Sequence, residues 1–385
     1  MKSPFLLPVL APLLLSIGLN SCSKEPGMKK EIKKTNAADC PRMADMATVK
    51  SSALYTVSTY AGADHLPYLP EFDYQVNGVL CNARFLTPSG IAISPDGVIY
   101  VTDDDNHNIR KISQGIVSFL AGEATESGIF CSGEIDGIGT GASFCSPKDA
   151  VLNKEGDLLL IDQSYGSIRK VSPLGQVSTI ISSEPREPGY LDGPLAQARF
   201  GRSFISMAIG PDGSIYLSEE TKVIRRISPE GMVSTYAGQV SVPVNGEFPD
   251  GYRDGDKENA LFGGISDMAF GPDGSLYLCD GGNQKIRKIT PAGRVETVAR
   301  LTENLTRIHS IAISDKGIIY IANSYQIFRI DADGTVLPVA GKHITPEHRD
   351  GVGSQARFRT IRQIATHKNY LYLTDGTTVR RMNIE

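Results

Sequence analysis

Few side chains in this 385-residue chain stand where they could do chemistry together. It has six histidines, and 43 acidic side chains against 39 basic ones. No GxSxG elbow, phosphate-binding glycine loop or HExxH helix occurs in it. What recurs is a position. Lys148 and Asp149, Asp267, His309 and Arg362 all fall at the start of a short apolar run, in four copies of one repeating string. Such carboxylates and bases would bind a polar ligand if the fold brought them to one point. A zinc site would need several converging histidines, and His309 alone holds this position. His65, His107, His343 and His348 fall in loops or turns, and His367 near a strand end. Asp149 and Asp267 are two copies apart, with no Glu or Asn joining them. That is too few oxygens for a hard divalent cation such as calcium. No catalytic residue, metal ligand or cofactor is therefore assigned.

The elements that must position these residues come from the repeat. "SPDGVIYVTDDDNHNIRKIS" (94–113) returns as "GPDGSIYLSEETKVIRRIS" (210–228) and "GPDGSLYLCDGGNQKIRKIT" (271–290). The full unit opens with "DG…A-x-F". It then runs through an apolar strand, a "PDG" turn, "xIYx", a polar turn, "IRKI", a "PxG" turn and "VSTxAG". The residue of the first turn falls at 97, 156, 213, 274, 317 and 369, glycine in five copies and asparagine in the last. That makes six units of four short strands punctuated by Gly, Pro and Asp. A four-stranded meander cannot bury both faces alone, so such units pack around an axis as propeller blades. The last unit ends at "TTVRRMNIE" without its "VSTxAG" strand, and "YTVSTYAG" (55–62) stands ahead of the first. The N-terminal strand is expected to complete the last blade, which removes an open sheet edge. The fold class is all-β, a six-bladed β-propeller over residues 52–385.

"PDGxIYVTDxxNxxIRKI" together with "GxVSTxAG" resembles the NHL repeat over nearly all of that span. The resemblance implies a propeller fold. Propellers of this kind include protein- and RNA-binding modules, extracellular adhesion domains and a metal-dependent peptide-amidating lyase. Related six-bladed propellers include lactonases. The lyase would need its histidines and a lactonase its oxygen ligands, and neither set transfers residue by residue.

Strand order sorts the connections onto two faces. The first-to-second and third-to-fourth turns are short and uniform. The fourth-to-first connections and second-to-third turns vary in length, as in "EATESGIFCSGEIDG" and "QVSVPVNGEFPDGYRDG". Binding is expected on the variable face, with Phe130, Tyr190, Phe248 and Tyr252 as aromatic anchors. Zero Trp argues mildly against sugar stacking. The face is acidic, with Glu123, Glu134, Asp136, Asp192, Asp254 and Asp256 among its side chains, which disfavours nucleic acid. In "RDGDKEN" (253–259) the recurrent "DG" is read as a turn rather than a calcium loop. Side-chain alternation suggests that only one of two sets faces the channel at full depth: Gly90, Asp149, Ser206, Asp267, Ser310 and Gln363, or the residues just before them. The Arg of each "IRK" is expected to pair with a neighbouring aspartate, such as Asp103, Asp162 or Asp280.

Residues 1–21 form a Lys-led apolar segment ending in "LNS" before Cys22, which resembles a bacterial lipoprotein signal. Cys22 is the expected lipidation site. "SKE" after it resembles surface-export signals of Bacteroidetes lipoproteins. Residues 22–51 read as a flexible, Lys-rich tether. Of the other cysteines, Cys131 and Cys145 flank one loop and could pair, as could Cys81 with either, and Cys279 reads as buried. The expected protein is a lipid-anchored binding or scaffold module of the bacterial envelope, placed by this signal at the outer membrane and taking a protein, peptide or glycan. The alternative is a divalent-metal hydrolase or lyase at the channel mouth.

Overall fold

The computed structural model describes residues 53–64, 76–123, 131–182, 189–220, 222–239, 251–302, 305, 307–342 and 346–385. Cys22, the 1–21 segment, residues 22–51, Phe130 and Phe248 lie outside them. All described residues belong to one compact unit, Asn36–Glu385.

Six antiparallel sheets follow one another as blades. Blade 2 shows the plan. Its innermost strand Pro147–Leu152 pairs with Leu158–Asp162, then Ser167–Val171, then Gln176–Ile181. The second strand is buried throughout because both faces of the sheet are covered. Blade 6 closes as its sequence requires. Thr56–Ala61 lies beside Thr378–Asn383, with Val57 opposite Met382 and Ser58 opposite Arg381.

Four strands per blade is an undercount. In five sheets a two-residue strand, such as Gly137–Ile138 or Gly255–Asp256, adds to the outer edge. It is the "DG" opening of the repeat. The fifth blade, whose sequence lacks that opening, has four strands.

The core is a ring of blade interfaces rather than one centre. Phe144 packs between blades 1 and 2, Phe200 between 2 and 3, and Phe262 between 3 and 4. Phe328 fills the interface of blades 4 and 5, Phe358 that of 5 and 6, and Phe85 joins blade 1 to blade 6. Cys279 is buried in the cluster around Phe328.

The first turn of each blade needs a left-handed residue. Gly97 takes φ 89° and Gly274 φ 74°, which only glycine adopts without strain. In blade 6 the left-handed residue is Lys368, at φ 52°, not the asparagine one place on. There the strands meet at His367 opposite Tyr370, so the turn is tighter.

Candidate binding site at the channel mouth

The innermost strands do not alternate strictly. In five blades the register shifts near the strand start, between Pro88 and Ile91, Pro147 and Ala150, Phe204 and Ser206, Ile265 and Asp267, and Ile361 and Ile364. A bulge lets neighbouring residues turn to the same side. Members of both candidate sets therefore line the cavity, Asp149, Asp267 and Gln363 from one and Lys148, His309 and Arg362 from the other, where strict alternation would leave one set out at full depth. Lys148, Asp149, Asp267, His309 and Arg362 all line one cavity of about 350 Å³. Ser266, Gln363 and the half-exposed Ile205 line it too. The cavity sits at the strand starts, on the side of the variable connections.

Beneath the cavity runs a belt of hydrogen bonds between blades. Asp149 accepts from the Met207 backbone N–H at 2.7 Å and from the Gln363 amide. The Gln363 carbonyl accepts from Ile91 N–H at 2.6 Å. Ser206 donates to Asp267 at 2.9 Å, and Asp267 also accepts from Ser310 Oγ at 2.9 Å and Ile311 N–H at 2.8 Å. Ser310 in turn accepts from Ile364 N–H at 3.0 Å. Sequence reasoning chose the two aspartates but missed Ser206, Ser310 and Gln363 as working members. The available signal was that all hold the same position of the repeat.

Burial raises the pKa of both aspartates above the ordinary range. Asp267 is pushed up to about 7, first by desolvation and then by the Asp149 charge. His309 is held below the usual imidazole value, first by burial, with the Arg362 charge adding to it. Lys148 pairs with the buried Asp104, which Ser146 Oγ also reaches at 2.8 Å.

The "IRK" arginines serve the blades. Arg287 is fully buried, 2.7 Å from both Asp280 and Asp254, and lies 5.2 Å from the Phe262 ring centre. Arg169, Arg225 and Arg380 repeat this with Asp136, Asp192 and Asp350. In blade 1, Asn77 replaces the outer aspartate, 2.8 Å from Arg110. The "DG" aspartates thus fix the outer strand. Asp254 also accepts from Thr297 Oγ1 at 2.9 Å, so it is engaged as an edge residue.

Tyr190 and Tyr252 stand two residues before such aspartates. Their rings lie 4.6 Å and 5.0 Å from the Arg225 and Arg287 guanidinium carbons. They remain 37% and 42% exposed, so one face of each ring is used by its own blade and part stays open. Neither lines the channel cavity. Cys131 and Cys145 form a disulfide, with Cα atoms 5.0 Å apart, across the connection into blade 2.

A divalent ion fits this mouth poorly. Among the described residues no three His, Cys, Asp or Glu side chains gather to hold one. The Asp149 and Asp267 oxygens already accept backbone and side-chain donors that tie blades together. An ion would have to displace those bonds.

Fold and repeat together define the class: the chain is a six-bladed β-propeller with NHL-repeat matches within it. The NHL repeat family matches residues 85–112, and the teneurin NHL domain matches residues 250–385. Mouse teneurin-3 is 28% identical over 231 residues, 55% of this chain. The chain spans only 8% of that protein's length. Among solved structures, an auxiliary nutrient binding protein from Bacteroides ovatus superposes with a TM-score of 0.55 at 12% identity, over 86% of this chain and 76% of that one. A catalytically inactive virginiamycin B lyase from Staphylococcus aureus, in a structure with quinupristin, gives 0.53 at 12% identity, over 86% and 100% of the two chains. At such identities these likenesses establish the fold alone.

Proposed function

We propose that this propeller is a binding module of the bacterial envelope, anchored by lipid on Cys22, whose variable face receives a protein, peptide or glycan at the channel mouth. The observation that supports binding over metal-dependent turnover is the engagement of Asp149 and Asp267. Their oxygens are spent on Met207, Ile311, Ser206, Ser310 and Gln363, which makes them parts of the wall. The cavity above them, about 350 Å³, is at the small end of ligand pockets. That volume suits one sugar unit, one projecting side chain or a chain terminus.

The test fills the mouth from its rim. Ile205→Trp should abolish capture of envelope peptides and oligosaccharides by the immobilised protein. Leu174→Ala, a change at an 89%-exposed residue in a uniform turn of the opposite face, should leave capture intact. Both variants should melt as the wild type does. The reverse pattern would place the working surface on the other face. Divalent metal bound stoichiometrically to the purified protein would favour the hydrolase or lyase reading instead.

A further inference from the structure

Arg362 is unlike the other buried arginines of this protein. Arg110, Arg169, Arg225, Arg287 and Arg380 are each held by at least one carboxylate, and their guanidinium groups also reach backbone carbonyls. Arg362 lies half-buried in the cavity wall and forms no ion pair among the described residues. Its Nη1 donates to the Gly376 carbonyl at 3.1 Å. A guanidinium carries five N–H donors in a planar fork matched to a carboxylate. Burial holds its pKa below the ordinary arginine value, and Asp104, Asp105, Asp375 and Asp103 offset this through space. Those carboxylates are engaged elsewhere: Asp104 by Lys148 and Ser146, Asp105 by Thr87 Oγ1 at 2.5 Å, Asp375 by Arg380 at 2.9 Å and Asp103 by Arg110 at 3.5 Å. The other side chains of the wall do not compete for the fork. Asp149 and Asp267 are turned to the belt, and His309 is biased to its neutral form.

We propose that the channel mouth is a carboxylate-binding subsite in which the Arg362 guanidinium takes the carboxylate of a small ligand and the cavity takes the adjoining part. This rests on the reading of the mouth as the binding site and names the chemistry of what binds there. Lys148, at the same mouth with a 40%-exposed side chain, adds a second positive charge, shared with Asp104. An acidic sugar and a peptide C-terminus both present the required group, and the cavity volume admits either.

Isothermal titration separates these sources. The probes are D-glucuronate against its methyl ester, and acetyl-Ala-Ala against its C-terminal amide. At least one acid should bind the mature protein, with its neutral counterpart at least about 10-fold weaker, the loss expected for one charge-assisted fork of about 1.4 kcal/mol or more. Arg362→Gln should erase that preference at an unchanged melting temperature. Arg362→Lys, which keeps the charge but not the fork, should retain part of it. Binding of glucuronate alone assigns an acidic sugar, and binding of the dipeptide alone assigns a chain terminus. Equal binding of acid and neutral probe, no binding of either acid at millimolar concentration, or an acid preference that survives Arg362→Gln would overturn the subsite. If the acids fail while Ile205→Trp still loses the captured ligand, the carboxylate assignment falls and the mouth remains the binding site.

Discussion

Arg287 is fully enclosed, and its charge is tolerable because Asp280 and Asp254 both reach it. Removing one partner of such a pair is far more damaging than replacing the whole group by apolar side chains. Blade 5 displays the apolar solution. Phe328 occupies the arginine position, Asn323 the inner aspartate position, and the outer "DG" strand is missing. Arg287→Phe alone should therefore cost about 3–5 kcal/mol in urea unfolding. Adding Asp280→Asn should recover more than half of that loss, and no recovery would mean that ring size, not charge, sets the cost. A second residue-scale effect is pH. The folded pKa of Asp267, about 7, lies above its ordinary 3.8. The folded state then binds the proton more tightly than the unfolded state. This contribution is complete below pH ~4 and is lost as pH rises through about 7. Melting temperature should fall across that window from this site. Asp267→Asn, which keeps a carbonyl acceptor without the charge, should flatten the fall, and an identical slope in the variant would remove Asp267 as its source.

At the scale of elements, the closing strand does work that no other strand can replace. Thr56–Ala61 pairs with Thr378–Asn383, and Thr59 bonds both Asp350 and the half-buried His348, at 3.0 Å and 2.8 Å. A chain beginning at Ser51 keeps all of this. A chain beginning at Ala63 leaves an open edge on blade 6. The first should melt cooperatively near the temperature of the mature protein. The second should lose cooperativity and associate in solution, as light scattering would detect. Indistinguishable melting of the two would refute closure by this strand. The fifth strands belong to the same scale. They were legible as "DG" but were read as turns, because two residues carry no alternation from which a strand can be inferred.

For the whole molecule, six interfaces closed in a circle make a rigid disc with one face of uniform turns and one of variable connections. The proposed lipid anchor at Cys22 belongs to the same scale. Cys22→Ser should move the protein from the membrane fraction to a soluble exported one. Each methylene withdrawn from the bilayer forfeits about 0.8 kcal/mol, so loss of two acyl chains is decisive. Unchanged sedimentation with membranes would exclude Cys22 as the anchor.

Blade number, strand order and closure were legible in the sequence because each is written locally and repeated. A glycine turn, an "IYx" strand and an "IRK" strand signal themselves within about ten residues. The arginine role was legible for the same reason, since Arg169 and Asp162 lie within one blade. The mouth was decided by tertiary structure. Its contacts join residues far apart in the chain, such as Gln363 with Asp149 and with Ile91. Bulges in five inner strands broke the alternation on which the choice between the two channel-facing sets depended. Strict period two would have turned Arg362 away from a cavity that Gln363 also lines. The local kink turns both inward, and the closed ring of blades leaves that guanidinium in the wall of the mouth, with Nη1 on the Gly376 carbonyl and no carboxylate paired to it among the described residues.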